Sequence, residues 1–113
     1  MARIPAAWGT DHPAFRCLVS LAASGRVWVK LSAPMRYSAA DRPPYADVTP
    51  MAKALVAAAP ERMLWGTDWP HVHFDRGVMP NDADLLDLLA DWVPDAAARQ
   101  RILVDNPARL YRF

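Results

Sequence analysis

Three side chains able to do acid–base or metal chemistry fall within six residues: Asp68, His71 and His73. They follow a short apolar run, Met63-Leu64-Trp65, which reads as a buried strand. Gly66 then allows a sharp change of backbone direction, and Trp69-Pro70 stiffens the exit. Asp68 therefore stands where a strand ends, a usual place for catalysis in parallel α/β proteins. A carboxylate there can act as a general base or as a metal ligand. The plainer alternative is an N-cap or a hydrogen-bonded structural aspartate.

His71 and His73 form an H-x-H pair, but they lead into a loop rather than along a strand face. Two imidazoles are too few for a catalytic zinc site, which takes three protein ligands. His71 is expected to line a pocket and His73 to lie at the surface. A second strand is expected over residues 26–32, with Val27, Val29 and Leu31 on one face and Trp28, Lys30 and Ser32 on the other. Lys30 is unusual in such a strand; its stem is expected to pack while its ammonium reaches a polar rim or a carboxylate. Arg36 follows closely and would sit near the mouth of any site there. Its guanidinium matches a carboxylate bidentately, against the alternative of a solvated surface arginine. It opens a loop over residues 33–47, long enough to be a binding loop.

The elements that must position these groups can be read in order. Pro13 suits the first turn of a helix entered from Asp11 or His12, with Phe15, Leu18, Val19 and Ala22 on one face and Gly25 at its end. Thr49 is expected to cap a second helix, with Pro50 at its first position and Pro60 beyond its end. Asn81 or Asp82 should cap a third, in which Leu85, Leu88, Leu89 and Trp92 make the apolar stripe, with Asp82, Asp84 and Asp87 early where acids suit the dipole. Asp95 opens a last helix that Asn106-Pro107 is expected to close, leaving a short docking turn. Helix, strand, loop, helix, strand is the alternation of a parallel sheet with covering helices, an α/β fold.

Composition narrows the function. The chain has 113 residues, room for one small domain, and 53% are apolar, which argues for a real core. Thirteen basic and twelve acidic residues nearly cancel, so charge gives no case for nucleic acid or an anionic membrane. No apolar run is long enough to span a membrane and no signal peptide is visible, so a cytoplasmic protein is expected. The one cysteine, Cys17, cannot make an internal disulfide and is expected to be a small packing residue of its helix. Five tryptophans suggest buried surfaces larger than this chain covers alone. There is no G-x-S-x-G, no phosphate-cradling glycine loop, no C-x-x-C and no H-E-x-x-H.

Val27-Trp28-Val29-Lys30-Leu31-Ser32, then Arg36, then Leu64-Trp65-Gly66-Thr67-Asp68-Trp69-Pro70-His71, then Asp105-Asn106-Pro107-Ala108-Arg109-Leu110-Tyr111 together resemble the C-terminal part of the amidohydrolase-related family. Its 2-pyrone-4,6-dicarboxylate lactonase type is the nearest in look, over residues 9–113. The resemblance implies the last part of a (β/α)8 TIM barrel, with strands seven and eight and their flanking helices, incomplete on its own and treated as one partial domain over residues 1–113. It implies that Asp68 is the strand-eight aspartate that activates the hydrolytic water, or that binds a divalent, zinc-like metal in the metal-dependent members. It implies that Arg36 binds a substrate carboxylate, with His71 beside it. The lactonases require no metal. The family's strand-one H-x-H and strand-six histidine have no counterpart here, so the chain alone is expected to be inactive. Two alternatives stand beside lactone hydrolysis: a non-catalytic piece that docks on a chain completing the barrel, and a metal-dependent decarboxylase of the same family.

Overall fold

The structure, a computed structural model, describes residues 1–75 and 77–113. Helix α1 (Pro13–Ala23) begins as its sequence dictates: His12 accepts a hydrogen bond from Ala14 N, and Pro13 supplies a preset φ. Gly25, at φ 74°, takes the left-handed turn that ends it. Phe15 and Ala22 are buried, with Leu18 and Val19 packed beside them. Cys17 corrects the expectation: it is exposed, one step off that stripe.

Strand β1 (Val29–Leu31) pairs in parallel with β2 (Met63–Trp65), Val29 opposite Met63 and Leu31 opposite Trp65. The first strand is shorter than residues 26–32 because only these three find partners. Val29 and Leu31 are buried and Lys30 is exposed on the opposite face, as alternation requires. The Lys30 stem lies over Gly66, where an added Cβ would meet its Cδ at 3.5 Å.

Between the strands, a 3-10 turn (Pro34–Arg36) starts from Ala33 at φ 54°. The loop then folds on itself: Ser38 Oγ and Ala39 N both donate to the Asp47 carboxylate, at 2.5 and 2.8 Å. Met35, Tyr45 and Val48 are buried in it, so much of this long loop is core. Helix α2 (Thr49–Ala58) is preceded by Val48, which gives no side-chain cap. Thr49, expected as the cap, is instead inside the helix, and its hydroxyl accepts from Trp92 Nε1 at 3.3 Å.

Helix α3 (Asp82–Trp92) is capped by Asn81, whose side chain accepts from Ala83 N at 2.8 Å. Leu85, Leu88, Leu89 and Trp92 are all buried. Asp95 caps α4 (Ala96–Gln100). The chain does not stop at Asn106-Pro107 as expected; a π turn (Arg101–Asp105) runs straight into α5 (Asn106–Tyr111). In an α-helix the Pro107 ring would meet the carbonyl four residues back; the wider π turn relieves that clash. Asn106 is itself buried, and its amide donates to Pro60 O at 2.8 Å and Met63 O at 2.7 Å. The last helical segment is thereby pinned to the start of β2. No helix among the described residues is long and apolar enough to cross a membrane.

Candidate active site

The two strands end side by side, and their carboxyl ends bring Arg36 and Asp68 together. Arg36 Nε donates to Asp68 Oδ2 at 2.8 Å, and Arg36 Nη2 donates to Val72 O at 2.7 Å. The ion pair is only partly shielded from solvent; the Asp68 side chain is 30% exposed. The backbone beneath it is held in a strained form. Asp68 has φ 81°, His71 φ 57° and His73 φ 58°, a region that side-chain-bearing residues rarely adopt. A turn bond from His71 N to Asp68 O, 2.8 Å, closes this segment.

His71 is buried, 5% exposed. Its ring lies between two carboxylates, with Nε2 at 3.2 Å from Asp82 Oδ1 and Nδ1 at 3.7 Å from Asp68 Oδ2. Nδ1 has no hydrogen-bond partner among the described residues. His73 is exposed, as expected. A cleft of about 420 Å³ opens next to Arg36, lined by Arg3, Arg36, His73, Phe74 and Asp75. His71, expected to line a pocket, is not among the residues that line this cleft.

Three residues near the site escaped sequence reasoning. Tyr37 is half-buried; burial, reinforced by the Asp68 charge, pushes its phenol above the ordinary range, while Arg3 and Arg36 pull the other way. Arg3 reaches the cleft from the opposite end of the chain. Asp82, read as a candidate cap and an early helix acid, holds His71 across eleven residues of sequence, and no spacing rule signals such a contact. The N-terminal amine, which donates to Lys30 O at 3.2 Å, is lowered to about 6 by burial, partly offset by Asp68.

The loops that carry the two sides of the site are strapped together. Val78 N donates to Asp41 O at 3.1 Å. Gly77, at φ 71°, lies so close that an added Cβ would stand 2.7 Å from Asp41 O.

An arginine thus pairs with a strand-end carboxylate, and comparison with known proteins gives the family. Residues 1–113 match the amidohydrolase model. The chain belongs to the amidohydrolase family. It is 51% identical over 104 residues to the 4-sulfomuconolactone hydrolase of Hydrogenophaga intermedia, covering 91% of this chain and 34% of that protein. It is 42% identical over 92 residues to a 2-pyrone-4,6-dicarboxylate hydrolase of Comamonas testosteroni, covering 75% of this chain and 30% of that one. It is also 41% identical over 105 residues to the D-galactarolactone isomerase of Agrobacterium fabrum, covering 92% and 36%. An apo crystal structure from Agrobacterium tumefaciens superposes with a TM-score of 0.78 at 41% identity, over 92% of this chain and 36% of that one. The chain thus spans about a third of the length of the curated relatives it matches. Its fold is the C-terminal part of a (β/α)8 barrel, and β1 and β2 are parallel barrel strands with their covering helices.

Amidohydrolases are generally metal-dependent. Among the described residues, no three His, Cys, Asp or Glu side chains converge where an ion could sit. Asp68 Oδ2 is already held by a guanidinium. The residues gathered here do not by themselves fit a metal centre.

Proposed function

We propose that the intact protein is a hydrolase that opens a small carboxylate-bearing lactone, with residues 1–113 as part of its single barrel domain. The observation that carries this reading is the 2.8 Å pairing of Asp68 with Arg36, the member of the pair that lines the cleft. It stands in a chain 51% identical to a lactone hydrolase.

Asp68 is the base. Its carboxylate takes a proton from water as the water oxygen bonds to the lactone carbonyl carbon. Collapse of that intermediate breaks the ring C–O bond, and the proton passes to the departing oxygen. Arg36 serves as the carboxylate clamp: its Nε is committed to Asp68 and Nη2 to Val72 O, while other N–H groups of the fork remain for a substrate anion. His73 lines the same cleft. Groups that polarise the lactone carbonyl are not among the residues assembled here, so the 113-residue chain alone is expected to show no useful turnover. Leu103, Val104, Tyr111 and Phe113 are exposed along the last helical stretch. They support the companion reading that this piece packs against further barrel elements.

The test is a chimera in which residues 9–113 replace the matching third of the Hydrogenophaga hydrolase. It is assayed on 4-sulfomuconolactone and on 2-pyrone-4,6-dicarboxylate. Hydrolysis that Asp68→Asn abolishes supports the reading. Hydrolysis that Asp68→Asn leaves unchanged sinks the role of Asp68.

A further inference from the structure

The ring of His71 is placed by two carboxylates that belong to different elements, and only one of them bonds to it. Asp82, the first residue of α3, lies 3.2 Å from Nε2. Asp68 Oδ2 lies 3.7 Å from Nδ1, beyond hydrogen-bond distance. A proton on Nδ1 would be buried with no acceptor at hydrogen-bond distance among the described residues, whereas a proton on Nε2 meets the Asp82 carboxylate. The arrangement therefore selects the Nε2–H tautomer and turns the Nδ1 lone pair towards Asp68. In metal and hydrolase sites alike, the bond made by one imidazole nitrogen decides the role of the other.

We infer that Asp82 is a positioning residue for the Asp68 base, acting through His71. This rests on the reading of Asp68 as the base. When Asp68 takes a proton from the attacking water, the new carboxyl O–H faces the Nδ1 lone pair 3.7 Å away, and a shift of under about an ångström brings the two within hydrogen-bond distance. The proton stays on Asp68 and is held by that bond until it moves to the departing ring oxygen. His71 neither supplies nor consumes a proton overall. The strained backbone at Asp68 and His71 keeps carboxyl and ring facing each other; such strain persists only where surrounding contacts over-determine it.

The test uses the 113-residue chain and reads the ring directly, by nitrogen-15 NMR of His71 in neutral buffer. A pyrrole-type Nε2 with a pyridine-type Nδ1 is expected. Asp82→Ala should lose that preference. Asp82→Asn, whose side-chain carbonyl can still accept, should keep it, and also guards against an effect of altered folding at the start of α3. A proton on Nδ1 in the unsubstituted chain, alone or with one on Nε2, overturns the inference. So does a tautomer that Asp82→Ala leaves unchanged. The readout is independent of turnover, so failure of the lactone assay and failure of this arrangement are told apart. In the chimera, Asp82→Ala should lower kcat several-fold with KM unchanged; a change confined to KM counts against it.

Discussion

The two ends of the short sheet are built on opposite terms. At the amino end of β2, Asn106 is buried with both amide bonds made, to Pro60 O and Met63 O. At the carboxyl end stand an ion pair, an imidazole nitrogen with no partner among the described residues, and residues at positive φ that include Ala33, Asp68, His71 and His73. Each end keeps one buried nitrogen without a partner among the described residues, Arg62 Nε at the amino end and His71 Nδ1 at the carboxyl end, so what separates them is the ion pair and the positive-φ backbone of the carboxyl end. In (β/α)8 barrels the carboxyl end carries chemistry and the amino end carries stability. In this chain the ion pair and the positive-φ residues lie at that carboxyl end, after two strands of three residues each.

Substitutions at the two ends should therefore separate activity from stability. The largest effect is expected from Asp68→Asn in the chimera, a loss of roughly a hundred- to ten-thousand-fold in kcat, the range for removal of a general base. Urea unfolding of the same variant should move little. Asn106→Ala should do the reverse: two buried carbonyls lose their donors, at a cost of about 2–3 kcal/mol in urea unfolding. A stable Asn106→Ala chain would break the comparison. Next, His73→Gly should stabilise the chain by about 1 kcal/mol, because glycine accepts the left-handed backbone without penalty. A loss of stability would show that the segment is not strained. Smallest is the alkaline response of Tyr37. Its folded phenol titrates above the unfolded one, so its contribution is complete below about pH 10 and is lost as pH rises through the folded pKa. Tyr37→Phe should flatten the fall in stability on that side, measured by unfolding at stepped pH.

The sequence exposed the regular parts well. The stripe at Leu85, Leu88, Leu89 and Trp92 produced α3, and Pro13 with Gly25 bounded α1, because periodicity and capping are local properties. Thr49 misled because a hydroxyl before Pro50 has the chemistry of a cap, yet the Trp92 indole claimed it from another helix. Asn106-Pro107 misled because proline usually ends helices, and a π turn is not encoded in a short motif. Asp68 and Arg36 were legible as candidates from their strand-end positions, while their contact depends on parallel pairing across 32 residues. The Asp82 contact with His71 was not legible at all, since it depends on where α3 docks.

The bond from Val78 N to Asp41 O, with Gly77 pressed against the same carbonyl, joins the loop after β1 to the loop after β2. Barrel enzymes diversify by changing such loops one at a time. Here that freedom is curtailed. Lengthening either loop, or placing any side chain at position 77, displaces the other, so the two are expected to be inherited and exchanged as one piece. A graft that aims to change what this site accepts has to carry both.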